Sequence, residues 1–334
     1  LGWRQAATWG WQRLSGWWKP KEWDVAIKVI TTEHQDTVAI ENEVSVMQKL
    51  QTSGDVVRLF AHDLNATYKS ARYPLLVMEL ASTDLKKLST ELGKEGPGAA
   101  RPGACLPRRQ VPPAVHLQMA AALLRGLGAL STAGYVHSDV KMENVFVFRG
   151  ARQQNESVSV KLGDFGLAFG PEGQLSGGSW LYFSPETAAA ILAVEEADFV
   201  EMQFEKLAKA DVWAAGLLAF NLLAGRLPMA KGSTFHGLRE DQIQHFILEQ
   251  GAAEWAKFVS ERYDPLRDEA LMCMAGSKVD LERDLASLFS GLLQRDPAKR
   301  WGAATAFEKI QGVLERNHIE LPVASLPEVP ICLQ

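Results

Sequence analysis

His137-Ser138-Asp139-Val140-Lys141-Met142-Glu143-Asn144 is the stretch on which the reading turns. It places a carboxylate, an ammonium and an amide within six residues. It lies between a helical pattern at Val115–Leu130 and a hairpin-like pair of β-rich runs, Val145–Phe148 and Val158–Leu162. Directly after that hairpin comes Gly163-Asp164-Phe165-Gly166. Taken alone, the octapeptide reads equally well as a polar loop between helices. What gives it weight is the order of the stretches around it.

Upstream, Val25-Ala26-Ile27-Lys28 lies on a predicted strand, Asp24–Thr31, whose Val25, Ile27, Val29 and Ile30 are β-branched. Asp36–Leu50 follows with helical periodicity, Ile40, Val44 and Met47 sharing one face. Of the two acids on that helix, Glu43 falls on the apolar face between Met47 and Leu50, whereas Glu41 points away. A carboxylate on a buried stripe is costly unless paired, so of the two acids Glu43 is the one expected to hold a cation. Val56–Leu64 and Leu75–Leu80 read as further strands, giving a small α+β lobe. Downstream stand Ser184-Pro185-Glu186, Asp211-Val212-Trp213 and Asp296-Pro297-Ala298-Lys299-Arg300. Asp211–Leu223 reads as a helix, and weaker helical patterns continue to about Val313.

The bulk numbers bound the rest. At 334 residues the chain exceeds the usual ceiling for one core, so two lobes sharing a cleft, or two small domains, are expected. With 47% hydrophobic and 22% charged residues most of it is globular. A net charge of -5 argues against general nucleic-acid binding, because there is no basic excess to neutralise phosphates. Cys105, Cys273 and Cys332 form no C-x-x-C pair, and no apolar run is long enough to span a bilayer. The chain begins at Leu1 and reads as a fragment of a longer protein. Glu91–Pro113 is Gly/Pro-rich and is expected to be a loop.

Together the V-A-I-K, the His-Ser-Asp octapeptide, the D-F-G and the Ser-Pro-Glu resemble the signature set of the eukaryotic protein kinase superfamily, over about Trp23 to Val313. The resemblance implies an α+β, two-lobed fold: a small β-rich lobe over 1–80, a mainly helical lobe over 81–320 and a Pro-containing tail over 321–334. It implies ATP in the cleft against Ala26 and Phe146, with Met78 as gatekeeper and Glu79, Leu80 and Ala81 as the linker between lobes. Lys28, oriented by Glu43, would hold the phosphates, and Asp164 and Asn144 would hold Mg2+. Asp139 would accept the proton of the incoming hydroxyl, and Lys141 would offset charge on the transferring group. Lys141 also resembles serine/threonine kinases rather than tyrosine kinases. Ser179 matches the small hydroxyl residue that contacts the catalytic Asp, Glu186 and Arg300 match a structural ion pair, and Glu143 would favour basic residues in the substrate.

Three departures qualify the resemblance. No G-x-G-x-x-G-x-V precedes Lys28; only Gly2, Gly10 and Gly16 stand there, within a Trp-rich segment. That absence resembles the With-No-Gly-loop kinases, relatives of the rhoptry kinases of apicomplexan parasites. It implies secretion into the parasitophorous vacuole, membrane-associated protein substrates and a raised KM for ATP. The alternatives are a cytoplasmic kinase and a pseudokinase scaffold that binds partners without phosphoryl transfer. A small-molecule kinase fits the Ser-Pro-Glu segment poorly. The Trp-rich segment either caps the small lobe or, with its Lys and Arg, meets a membrane interface. Second, Ser138 stands where most kinases have Arg, so activity is expected not to require activation-loop phosphorylation, at Ser176 for example. Third, the loops at 91–113, 149–157 and 186–211 are long, as docking sites or solvated insertions.

Overall fold

The computed structural model describes residues 25–30, 37–68, 71–94, 113–149, 158–173, 175, 177–193, 204–224 and 279–320. The Trp-rich segment, the site of the missing glycine-rich loop, Ser176, the three cysteines and the tail at 321–334 lie outside these residues, as do most of the long loops.

Five residues of alternating burial, Val25–Val29, make β1. The period of two turns Ala26 and Lys28 inward and leaves Val25, Ile27 and Val29 half-buried. Helix α1 (Thr37–Lys49) follows, then β2 (Leu59–Tyr68) and β3 (Ala71–Glu79). They form an antiparallel sheet in the order β1-β3-β2, with Ala26 opposite Met78 and Lys28 opposite Leu76. Both β2 and β3 reach further outward than their apolar cores suggested. Their distal ends pair Ala66 with Tyr73 and Thr67 with Arg72 by backbone, without an apolar signature. Val56 and Val57, expected in the second strand, instead bridge to the other lobe: Val56 pairs with Leu162, and the Val57 N–H donates to the Leu162 carbonyl at 2.8 Å.

A second small sheet, β4 (Thr83–Asp84), β5 (Val145–Arg149) and β6 (Val158–Leu162), lies beyond the cleft. The expected loop at 91–113 needs correction at its start, because α2 runs through Leu85–Lys94. Asp84 caps it, its carboxylate accepting the N–H of Lys87 at 2.8 Å, and Leu85 and Leu88 are buried one turn apart.

Helix α3 (Pro113–Thr132) opens on a proline suited to the first turn and ends at Gly134, whose φ of 82° permits the left-handed cap. The Tyr135 N–H then reaches back to the Leu130 carbonyl at 3.0 Å. After α4 (Pro185–Ala193), α5 (Phe204–Ala224) is buried at every position from Asp211 to Phe220. Its first two turns escaped the apolar reading because Glu205 and Lys206 face solvent. Helices α6 (Val279–Leu292) and α7 (Ala303–Arg316) complete the helical lobe; α7 packs Ala306, Ile310 and Val313 into the core shared with α3 and α5. Among the described residues no helix is long and apolar enough to cross a membrane.

Candidate active site

The two lobes meet at a cleft lined by Ala26, Lys28, Glu43, Val57, Met78, Glu79, Ala81, Phe146 and Asp164. Its walls are apolar and flat at one end and charged at the other. Gly163 shows how tightly the floor closes, since a Cβ there would lie 2.9 Å from both Phe146 and Val57.

At the charged end Lys28 Nζ donates to both Glu43 oxygens at 2.8 Å and to Asp164 Oδ1 at 2.8 Å. Strand β1 and helix α1 thus meet on one ammonium, as the burial argument for Glu43 requires. Burial works against charge on Lys28, yet Glu43 and Asp164 more than offset it and hold the ammonium above its ordinary range. Burial likewise pushes Glu43 up, and the adjacent Lys28 opposes that shift. Asp164 is desolvated too, but Lys28 beside it holds its carboxyl below the usual range. Lys28 therefore serves as a fixed cation between two acids.

Asp139 sits on the loop between α3 and β5 and is held from three sides. The Ser179 hydroxyl donates to Oδ1 at 2.8 Å, the Asn144 amide to Oδ2 at 3.1 Å and Lys141 Nζ lies 2.6 Å from Oδ2. The Asn144 amide also donates to the Asp139 carbonyl at 2.9 Å, closing the loop on itself. Burial alone would lower Lys141; Asp139 outweighs it and holds Lys141 above its usual value. Ser138 and Asp164 are non-glycine residues with left-handed backbone, φ 58° and 61°. Such conformations cost about 1–3 kcal/mol each and persist where the surroundings over-determine them. At Ser138 those surroundings are Asp211, which accepts its N–H at 3.0 Å, and Leu167, whose carbonyl accepts its hydroxyl at 2.7 Å.

The structure brings Lys28, Glu43 and Asp164 together, and likewise Asp139, Lys141 and Asn144; Ala26, Met78, Glu79, Ala81 and Phe146 line the apolar end. Glu186 and Arg300 also meet, through two hydrogen bonds at 2.5 and 3.0 Å. Two of the expected site residues also have partners within the chain. The Glu79 carboxylate faces Lys161, at 2.8 and 3.0 Å, so only its backbone is left to edge the cleft. Glu143 is paired with Lys86 of α2, so an internal cation already stands where a basic substrate residue was expected.

Other residues were missed. Val57 lines the cleft from a segment read as strand. Lys161 shares a pleat face with Ser159, opposite Val160 and Leu162, which reads as solvent-facing; here the β4-β5-β6 sheet is covered on that side as well. Asp55 grips Arg125 of α3 through bonds of 2.5 and 2.7 Å, and nothing in their spacing of seventy residues announces it.

The chemistry of the donors fits a nucleotide triphosphate with a hard divalent cation. The apolar end suits a flat aromatic base, Lys28 suits phosphate oxygens, and Asp164 with Asn144 offers oxygen ligands. Among the described residues no group of three His, Cys, Asp or Glu could hold a metal alone. A cation shared with phosphates and water needs only one or two protein ligands.

Comparison with known proteins points the same way. A family model for the protein kinase domain matches residues 17–310. Mitogen-activated protein kinase kinase kinase 20 of Arabidopsis thaliana is 24% identical over 277 residues, 77% of this chain and 71% of that protein. CBL-interacting protein kinase 4 of Oryza sativa is 29% identical over 294 residues, covering 85% of this chain and 57% of the relative. Serine/threonine-protein kinase unc-51 of Caenorhabditis elegans is 32% identical over 113 residues, 32% of this chain and 12% of its own length.

Proposed function

The chain belongs to the protein kinase family, with serine/threonine kinases as its relatives, and on that premise we propose that it transfers the γ-phosphate of ATP to serine or threonine hydroxyls of proteins, using Mg2+ and no glycine-rich loop. The observation that carries this reading is a pair of constellations tied together where the Gly163 N–H, next to Asp164, donates to the Asn144 carbonyl at 3.0 Å: Lys28 between Glu43 and Asp164, and Asp139 within reach of Lys141, Asn144 and Ser179.

Bound ATP with magnesium supplies the transferable phosphoryl group and part of its charge neutralisation. Lys28, kept cationic by two acids, would attract phosphate oxygens. Asp164 and Asn144 would supply oxygen ligands to the metal. Asp139, with one oxygen on Ser179 and the other on Asn144 and Lys141, is held in one rotamer, with lone pairs left to accept an acceptor hydroxyl's proton. Lys141 stays protonated and offsets negative charge beside Asp139.

Radiolabelled phosphate transfer from ATP to a generic protein substrate, with Asp139→Ser and Asp164→Ala beside the wild type, tests the proposal. Transfer that both substitutions abolish supports it; no transfer by folded wild type at millimolar ATP sinks it. The second reading, a scaffold that does not transfer phosphate, is favoured by one observation, the absence of G-x-G-x-x-G-x-V before Lys28.

A narrower reading follows from that same absence: kinship with the With-No-Gly-loop relatives of rhoptry kinases, secretion into a parasitophorous vacuole and membrane-associated substrates. It rests on the sequence before Lys28 alone, and the plant and nematode relatives contribute nothing to it. Fluorescent tagging of the full-length protein in its own cell separates vacuolar from cytoplasmic residence.

A further inference from the structure

Behind the cleft lies a buried ion pair that none of the roles above uses. Lys161 of β6 donates to both oxygens of Glu79, and their side chains are only 5% and 6% exposed. Glu79 Oε1 also accepts the N–H of Arg58 at 2.7 Å, and the Lys161 ammonium lies 4.9 Å from the Phe148 ring centroid.

The location is what matters. Glu79 is the last residue of β3, directly after Met78, and from it the backbone runs along the cleft edge to Ser82, whose N–H donates to the Val147 carbonyl at 2.8 Å. Lys161 stands in register with Phe146, which lines the cleft, and three residues before Asp164. The pair is therefore a cross-tie between the strand that edges the apolar end and the strand that delivers the metal-binding acid. Two buried charges are a poor way to gain stability, since an apolar pair of similar volume does as well or better. They are a good way to fix direction, because a bidentate contact between a strand end and a neighbouring strand tolerates little sliding.

We propose that Glu79 and Lys161 are a positioning pair for the nucleotide, setting the spacing between the cleft edge at 79–81 and Asp164 so that base and phosphates are held at once. The proposal rests on the kinase reading of the cleft. Lys161 touches neither nucleotide nor acceptor; it acts through the Glu79 carboxylate and the short run to Asp164.

The test uses the full chain as wild type, Lys161→Met, Lys161→Arg, Glu79→Gln and the double variant Glu79→Gln/Lys161→Met. For each, the ATP KM, the kcat, the Kd for a Mg2+-bound non-hydrolysable ATP analogue and the Tm are measured. Lys161→Met should raise ATP KM and analogue Kd about tenfold with kcat within about twofold, and Lys161→Arg should restore most of the loss. The double variant decides between positioning and plain stability. With no unpaired buried charge its Tm should recover towards wild type, while ATP KM and Kd stay raised. Recovery of Tm and KM together, or unchanged nucleotide affinity in the double variant, overturns the proposal. Should Lys161→Met fail to fold, the double and arginine variants decide the matter alone. Wild type that binds the analogue without transferring phosphate sinks the catalytic reading only, and the Kd series still judges the pair. Wild type that binds no nucleotide overturns both.

Discussion

Asp211 Oδ2 accepts the backbone N–H of His137 at 2.7 Å across a sequence separation of 74 residues. Its other oxygen takes the N–H of Ser138 at 3.0 Å, so the buried stretch of helix α5 braces the loop that carries Asp139. Burial pushes the Asp211 carboxyl up to about 7, and the two N–H donors oppose that shift. Asp211→Ala leaves both donors without these acceptors in the interior. The expected cost is about 2–6 kcal/mol of stability, from roughly 1–3 for each of the two orphaned groups. Urea denaturation of the two proteins reads it directly. Kinase activity in Asp211→Ala should fall further than the lost folded fraction explains, because the strained Ser138 backbone is then free to relax.

The ammonium at the charged end of the cleft gives a second prediction. Lys28→Met removes the cation that compensates both Glu43 and Asp164. Phosphate transfer should drop below detection, with nucleotide affinity lowered as well. Glu43→Gln keeps shape and removes charge, so it should lose on the order of 10–100-fold in kcat/KM while the fold survives. If Glu43→Gln transfers phosphate as fast as wild type, Glu43 has no part in orienting Lys28.

Arg300 is fully buried, binds Glu186 through two bonds and stacks 5.0 Å from the Trp213 ring centroid. Breaking a buried pair by removing one partner costs about 3–5 kcal/mol. Arg300→Met should therefore lower the denaturation midpoint severely, whereas Arg300→Met with Glu186→Gln should recover part of the loss. Equal midpoints for the single and double variants would show that Glu186 is indifferent to its partner.

His116, on α3, is buried, and burial lowers its imidazole to about 4. The unfolded chain then binds the proton more readily than the folded one between pH 6.5 and about 4. The sign is fixed: stability is fully present above pH 6.5 and is lost as pH falls through that window. The loss is about 3 kcal/mol at most. His116→Leu should flatten this part of the pH–stability curve without changing stability above pH 7. A curve of unchanged shape in the variant would place the acid sensitivity elsewhere.

Lys86 and Glu143 are both partly exposed, so their pairing adds little stability. Its consequence lies in recognition. With Lys86 present, peptides bearing arginine near the acceptor should gain little over neutral ones. Lys86→Ala should release Glu143 and shift kcat/KM several-fold towards the basic peptide, an effect erased by adding Glu143→Gln. An identical peptide ranking for wild type and Lys86→Ala would remove Glu143 from substrate choice.

How much of this was legible beforehand follows from what periodicity records. Glu43 could be read as the partner of Lys28 because an acid on an apolar helical stripe is anomalous, and the anomaly asks for a cation. Lys161 is as deeply buried but gave no such signal. A strand with one apolar and one polar face is the ordinary pattern, and only the third dimension shows that both faces are covered. Helix α2 was hidden for another reason: its two buried leucines occupy one turn, and the Gly/Pro-rich run that follows dominates the composition of the window. Long-range grips such as Asp55 with Arg125 join elements of unrelated local pattern, so nothing in either segment foretells the other.

The grip between Asp55 and Arg125 also decides how the molecule can move. It stands beside the Val56–Leu162 bridge and the Leu162 N–H to the Asp55 carbonyl, all on the segment between α1 and β2. That segment is riveted to α3 and β6 at its centre, whereas β1 and α1 reach the helical lobe mainly through side chains at the cleft. Any relative motion of the lobes is therefore expected to turn about this tethered segment, since its backbone is bonded on the far side of the cleft. The molecule is built as a jaw with its pin at Asp55 and its teeth at Lys28 and Glu43.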